Sequence, residues 1–315
     1  MTESNKIETT RVVIIGSGFV GSTAAFTLMV QGIASEIVLV DVNKEKSQGE
    51  AMDIEHGLPF VPGARVWAGE YSDCADADVV VITAGIGQKP GQTRLELAST
   101  NTKIVREIVK QIVSYTKDAI ILMVTNPLDV MTYIALKESG FSKNQVFGTG
   151  TTLDSSRLKY LLAQEFDVSP DSVDAYMFGE HGDSEFPALS SAHIMGESIK
   201  NFPAYNEKKM QEISEQTKHA AGEIISKKGA TYYAIALVIA RMVRAILHNE
   251  NYAFPVSTLL EGEYGFDDVC VSVPALIGRK GVQKIIPVTL SQEEQNQLQK
   301  SVEVITLVLQ EVMPK

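Results

Sequence analysis

From Arg11 onward the chain alternates short, unbroken apolar runs with longer stretches in which apolar residues recur every three or four positions. The runs are Arg11 to Ile15, Glu36 to Val40, Arg65 to Ala68, Val79 to Thr83, Ile120 to Val124 and Gln145 to Phe147. Apolar runs of this length read as strands buried on both faces, and the 3.6-residue period reads as helices that cover them. Between the fourth and fifth runs, Ile104, Val105, Ile108, Val109, Ile112 and Val113 form such a helical stripe, which core packing explains completely. The alternation predicts an α/β fold with a doubly wound parallel sheet. After Gly148 the rhythm changes to helix-like segments, and Tyr252 to Val288 reads as short strands separated by glycine-rich turns, a mixed α+β half. Residues 1–148 are therefore expected to form one domain and residues 149–315 a second. A last helix opens on the capping-box pair Ser291 and Glu294 and turns Leu298, Val302, Ile305 and Leu309 inward.

The first run leads directly into Gly16-Ser17-Gly18-Phe19-Val20-Gly21, an amphipathic helix-like stretch follows to Gln31, and the second run ends in Asp41. Each glycine has a mechanical task. Gly16 permits a tight turn, Gly18 lets backbone N–H groups approach a pyrophosphate, and Gly21 allows the helix to pack closely on the strand. The helix N-terminus adds positive potential for the phosphates. A carboxylate at Asp41, roughly 20 residues beyond Gly21, suits the adenosine ribose and repels the extra phosphate of NADP, so NAD is the expected cofactor of a Rossmann-type domain. On these residues alone, a methyltransferase using S-adenosylmethionine stays open.

The formal net charge of −11 argues against a nucleic-acid surface. Two cysteines, Cys74 and Cys270, are too few for a disulfide framework and lack metal-ligand spacing, which points to a reducing, cytoplasmic setting. Met1 to Thr10 has no apolar signal core. The apolar stretch Thr231 to Ala240 runs into Arg241 and Arg244 and falls short of the roughly 20 residues that cross a bilayer, so it reads as a packed helix.

In a doubly wound sheet, ligands bind beyond the carboxyl ends of the strands where the strand order reverses. Gly16 follows the first strand, the Gly85 to Arg94 loop the fourth, Asn126 the fifth, and Asp154 with Arg157 the sixth, so four loops converge on one crevice. The Gly85 to Arg94 loop has the glycine hinges of a lid, or of an ordinary solvated loop. Asp154 and Arg157, three apart in a helix, share a face, and read either as a structural ion pair or as an arginine fork for a substrate carboxylate. His181, between glycines in Gly179-Glu180-His181-Gly182-Asp183-Ser184, suits proton exchange near neutral pH, with an aspartate fixing its tautomer. A metal role lacks companion ligands in the sequence, so no metal is expected.

Six blocks, in order, resemble the bacterial L-lactate dehydrogenase branch of the lactate/malate dehydrogenase family. They are residues 16–21, Thr83 to Arg94, Thr125-Asn126-Pro127-Leu128-Asp129, Leu153 to Arg157, residues 179–184 and Lys228-Gly229-Ala230-Thr231. The resemblance demotes the methyltransferase reading, since residues 126–129 carry no aromatic to stack on a base. It implies that residues 1–148 bind NAD and that residues 149–315 form the substrate domain. Cofactor contacts would come from Gly16, Gly18, Phe19, Val20, Gly21, Asp41, Thr83, Ala84, Gly85 and Asn126. The implied reaction is fermentative reduction of pyruvate to L-lactate, with His181 donating the proton and Asp154 stabilising the imidazolium. Arg94 would polarise the carbonyl, Arg157 would clamp the carboxylate, and Asn126 and Thr231 would complete the pocket.

At the position of Gln88, family members that reduce oxaloacetate carry arginine. A neutral Gln88 would leave a second carboxylate desolvated and unpaired, a loss of roughly 3–5 kcal/mol, so pyruvate is the expected substrate. Many bacterial members are activated by fructose 1,6-bisphosphate through an arginine and a histidine, where this chain has Lys159 and Asp174. A carboxylate there repels phosphate, and activity independent of that sugar is expected. The family further implies a homotetramer. A dehydrogenase of longer 2-hydroxy acids and a catalytically silent NAD-binding protein remain the alternatives.

Overall fold

The computed structural model describes residues 9–87 and 94–313, the side chain of Arg94 excepted. Its first half alternates strands and helices: β1 (Arg11–Ile15), α1 (Phe19–Val30), β2 (Glu36–Val40), α2 (Lys44–Glu55), β3 (Arg65–Ala68), β4 (Val79–Ile82), α3 (Arg94–Tyr115), β5 (Ile120–Met123), α4 (Leu128–Ser139) and β6 (Val146–Gly148). The second half continues with α5 (Thr152–Phe166) and five two-residue strands, β7 (Val173–Asp174), β8 (Met177–Phe178), β9 (Phe186–Pro187), β10 (His193–Ile194) and β11 (Glu197–Ser198). After these come α6 (Glu207–Lys228), α7 (Tyr233–Leu247), β12 (Tyr252–Glu261), β13 (Asp267–Gly278), β14 (Gly281–Ile285) and α8 (Gln292–Val312).

One nine-stranded sheet runs in the order β14, β13, β12, β6, β5, β4, β1, β2, β3. The six strands of the first half are parallel, and their order reverses between β1 and β4, with Ile15 of β1 opposite Val40 of β2 on one side and Ile82 of β4 on the other. Residues in successive positions of β1 face opposite sides, as a pleated strand requires. Val13 and Ile15 join one core with Val105, Val109 and Ile112 of α3, Met131 and Ile134 of α4, and Leu298 and Ile305 of α8. Val12 and Ile14 join a second core with Leu28 of α1, Ala51 of α2, and Ile239, Val243 and Ile246 of α7. Each such fully buried aliphatic side chain contributes roughly 1.5–3 kcal/mol, so the sheet is a rigid floor for whatever its strand ends carry. A third, smaller core of Leu158, Leu162, Met177, Ile194 and Met210 fixes α5 and α6 against the short strands.

Three details differ from the sequence expectations. Strands β4 and β5 end one residue before the expected bounds, and β6 is shifted one residue later. The region after Tyr252 forms two long strands, of ten and twelve residues, rather than several short ones. Pro255 and Pro274 punctuate the sequence there, but they sit opposite each other in the β12–β13 register and interrupt neither strand. This pair joins the central sheet antiparallel, Ser257 opposite Gly148. Finally, α1 is not amphipathic. Ala24, Ala25 and Leu28 are buried while Phe26 and Val30 are exposed, so the helix is apolar on its outer side too.

The candidate active site at the switch point

Beyond the carboxyl ends of β1 and β4 the backbone closes into a turn that only glycine can make. Gly16 has φ 107°, and a Cβ on it would lie 2.7 Å from the Ala84 nitrogen. A Cβ on Gly21 would lie 1.9 Å from the Gly16 carbonyl oxygen. Gly18 differs: a Cβ there would meet nothing within 4 Å, so the space above it is open. Gly18 is also the N-cap of α1, and no side chain caps that end. An uncapped helix start presents backbone donors and positive potential to an anion. Beside it the buried Ser17 hydroxyl has no hydrogen-bond partner among the described residues. These features fit the pyrophosphate of a dinucleotide.

Asp41 follows β2 and accepts hydrogen bonds from the backbone N–H of Ser17 (2.6 Å) and of Asn43 (2.9 Å), which ties the acid to the glycine turn. Phe19 and Val20 open α1, and Phe19 stacks on Tyr232 with ring centroids 5.2 Å apart. That contact brings the turn between α6 and α7, with Thr231 in it, against the glycine-turn helix. On the β4 side, the Thr83 hydroxyl donates to the Gly16 carbonyl at 2.9 Å. The Ala84 N–H donates to Ile15 at 2.9 Å, and Gly85 is held so closely that a Cβ would lie 2.4 Å from Thr125. Asn126, exposed at the end of β5, precedes a cis proline, Pro127. Gln88 lies outside the described residues, and Arg94 is placed only by its backbone, at the start of α3.

The second part of the site is built from charged side chains. Asp154 stands in the first turn of α5, 2% exposed. Its Oδ2 is 2.7 Å from His181 Nδ1, and its Oδ1 accepts from Arg157 at 2.6 Å. The sequence offered an ion pair or an arginine fork, and this structure forms the ion pair while leaving most guanidinium donors unassigned to Asp154. His181 sits in the β8–β9 loop, which is pinned from several sides. Thr151 donates to the Met177 carbonyl (2.6 Å) and the Met177 N–H donates to Ser155 (2.8 Å), fixing β8 to α5. Gly179 exchanges backbone hydrogen bonds with Ser272 of β13, and Ser301 of α8 donates to the Ser184 carbonyl at 2.7 Å.

These contacts set the proton chemistry. Burial works to lower the imidazole's proton affinity, but the charge and hydrogen bond of Asp154 outweigh it and push His181 up to about 9. Burial works the other way on Asp154, and His181 and Arg157 together hold that carboxyl below its ordinary range. The arrangement is a protonatable imidazole with one nitrogen fixed on an aspartate and the other free to exchange a proton with a bound molecule.

Four residues here escaped the sequence reading of roles. Asp129, 2% exposed in α4, accepts the backbone N–H of His181 at 2.8 Å, and burial pushes its carboxyl up to about 6. Glu185 is 3% exposed, and its carboxylate lies with Asp154 and His181 in a group whose ligating atoms are all within 4.8 Å of one another. Asn101 of α3 is fully buried; it accepts from Ile86 N–H (2.9 Å) and donates to the Asn126 carbonyl (2.7 Å). Thr125 donates to the Ala84 carbonyl at 2.8 Å, and together these two tie the loop after β4 to the end of β5. Asn101 left a signal: it is a polar residue on the stripe shared by Ala98, Val105 and Ile112. A cavity of about 540 Å³ beside α8, lined by Tyr264, Phe266, Leu290 and Gln295 among others, contains no carboxylate, imidazole or basic group and shares no residue with this cluster.

Residues 10–148 match the lactate/malate dehydrogenase NAD binding domain, and residues 151–314 match the lactate/malate dehydrogenase alpha/beta C-terminal domain. The chain is 49% identical over 302 residues to an L-lactate dehydrogenase of Priestia megaterium, covering 95% of each chain. It is 48% identical over 296 residues to an L-lactate dehydrogenase of Acetivibrio thermocellus, covering 92% of this chain and 93% of that one. The crystal structure of the minor L-lactate dehydrogenase from Enterococcus mundtii in its ligands-bound form agrees with a TM-score of 0.95 at 41% identity, over 98% of this chain and 100% of that one. No helix among the described residues is long and apolar enough to cross a membrane. A match over both halves and nearly the full length means that this chain belongs to the lactate/malate dehydrogenase family.

Proposed function

We propose that this protein is an NAD-dependent L-lactate dehydrogenase that interconverts pyruvate and L-lactate. The observation that carries the mechanism is the His181–Asp154 contact at 2.7 Å with Arg157 on the same carboxylate. The bound cofactor supplies or accepts the hydride. His181 gives its proton to the keto oxygen in reduction and takes it back in oxidation, and its Nδ1 contact with Asp154 leaves Nε2 to face the substrate. Asp154 stabilises the imidazolium and fixes the ring. Arg157 has five N–H donors and engages Asp154 through one nitrogen, so its fork can also hold the substrate carboxylate. Arg94 polarises the carbonyl as negative charge develops on oxygen, a contribution commonly worth about 3 kcal/mol. Asn126 and Thr231 complete the pocket.

Cofactor contacts are assigned to Gly16, Gly18, Phe19, Val20, Gly21, Asp41, Thr83, Ala84, Gly85 and Asn126. The division into a cofactor domain, 1–148, and a substrate domain, 149–315, follows the same reading. Asp41 selects NAD over NADP by repelling a 2′-phosphate. Gln88 selects a monocarboxylate. Independence from fructose 1,6-bisphosphate is supported by the pairing of Lys159 with Asp174 at 3.9 Å, which leaves a carboxylate where a phosphate would have to bind. A homotetramer is supported by the apolar side chains exposed on adjoining helices, Phe26 and Val30 of α1 with Tyr233 and Leu237 of α7. Cytoplasmic placement is supported by two free, buried thiols, Cys74 and Cys270.

Steady-state assays with NADH test the assignment. Pyruvate is expected to exceed both oxaloacetate and 2-ketoisocaproate in kcat/KM by about 100-fold or more, from the roughly 3–5 kcal/mol that an unpaired buried charge costs in the oxaloacetate case. Gln88→Arg swings the preference towards oxaloacetate. A higher kcat/KM for oxaloacetate in the unaltered enzyme overturns the substrate assignment. No oxidation of NADH with any 2-keto acid would support the silent binder instead.

A further inference from the structure

Glu185 belongs to the His181 cluster, yet the mechanism above gives it no task. It is 3% exposed and one of its oxygens, Oε2, is buried with no hydrogen-bond donor among the described residues. Its carboxyl lies beside that of Asp154: the three groups Asp154, His181 and Glu185 each place an atom within 4.8 Å of the others. Ionised carboxylates only accept hydrogen bonds, so two of them face to face in a buried site repel unless a proton or a cation lies between.

The partners of Asp154 decide where that proton belongs. Asp154 already accepts from Arg157 and from His181, and both hold it ionised. His181 and Arg157 also face Glu185 and favour its ionised form, but burial and the Asp154 carboxylate outweigh them. A metal ion on the three groups would sit beside the Arg157 guanidinium, which Asp154 already holds. A proton satisfies the same geometry without that conflict. Each carboxylate oxygen can accept two hydrogen bonds, so Asp154 has room for a third donor.

We propose that Glu185 is held as a neutral carboxylic acid that donates its proton to Asp154, a third hydrogen bond positioning the carboxylate on which the His181 ring is oriented. Glu185 touches neither substrate nor cofactor in this account; it is a positioning residue. Burial, followed by the charge of Asp154, raises its carboxyl well above the ordinary range, in keeping with that state. The kinetic part of the test rests on the dehydrogenase reading, and the spectroscopic part does not.

Infrared spectra of the whole enzyme at about pH 8, where Asp129 is ionised, test the proton directly. The carbonyl stretch of a buried protonated carboxyl is expected in the native protein and is lost in Glu185→Gln. In pyruvate reduction, Glu185→Leu lowers kcat about tenfold with KM little changed, as loss of a hydrogen bond to a charged group predicts. Glu185→Gln, whose amide N–H replaces the donor, restores kcat and keeps the alkaline limb of the pH profile in place. Absence of the band in the native enzyme overturns the proposal. So does full activity in Glu185→Leu, or an alkaline limb moved down by about one pH unit in Glu185→Gln, the shift expected when a neighbouring negative charge is removed. A native enzyme that shows the band but does not reduce pyruvate contradicts the dehydrogenase reading and supports the proton on Glu185.

Discussion

The cofactor side of the crevice is made of backbone and missing side chains, whereas the substrate side is made of charged side chains brought from α4, α5 and the β8–β9 loop. On the first side, Gly16, Gly18 and Gly21 act by what they lack, and the contacts that force glycine at Gly16 and Gly21 lie within a few residues or one strand away. On the second, His181 depends on Asp154, 27 positions earlier, and on Asp129, 52 positions earlier. The first part fails by steric exclusion, and the second fails by losing a charge or a proton. Damage to one should therefore leave the other measurable.

The largest expected effect breaks the substrate side alone. His181→Asn removes the proton donor and should lower kcat/KM for pyruvate by about 10³-fold, within the range for loss of a general acid. NADH binding, followed by fluorescence titration, should be unchanged. Equal losses in both measurements would show that the two sides are not separable.

Gly21→Ala is the converse. The new Cβ would lie 1.9 Å from the Gly16 carbonyl, so turn and helix must move apart. Overpacking of this kind costs typically 1–3 kcal/mol, and NADH affinity should fall by about ten- to a hundredfold, with kcat at saturating NADH largely retained. A smaller effect is expected from Asp41→Asn. It keeps a side-chain acceptor for the Ser17 N–H, but removes the charge that repels a 2′-phosphate. The NADPH-to-NADH ratio of kcat/KM should rise by about tenfold, the scale of one charge-assisted interaction. An unchanged ratio would place cofactor selection elsewhere.

How far each region was readable in the sequence follows from the same contrast. The parallel order of β1 to β6 and the reversal beside β1 follow from apolar runs whose period and length are local properties. Ser291 and Glu294 announced α8 in the same way, and both halves of the capping box form. The β12–β13 pair was expected as several short strands separated by glycine-rich turns; Gly262 and Gly265 do mark the turn between the two, but the length of each strand is set by its partner in the sheet. The outer face of α1 was misread because a single chain gives no reason for Phe26 and Val30 to remain exposed. In the site, His181, Asp154 and Arg157 stood out by residue type and neighbourhood. Asp129 lay unnoticed inside a quoted block, and Glu185 lay one residue beyond another. Nothing in the spacing of either acid tells that it folds against the histidine.

The pH dependence of kcat/KM in the two reaction directions tests the central claim, that His181 carries the proton under the control of Asp154. Its proton affinity is raised from the ordinary 6.5 to about 9, so the protonated form persists through neutrality and is lost as pH rises through about 9. Pyruvate reduction needs that proton and should fall above about pH 9, while lactate oxidation needs the bare imidazole and should rise over the same interval. Both limbs should vanish in His181→Asn. Limbs that run in the same direction, or that survive in the variant, would contradict the account.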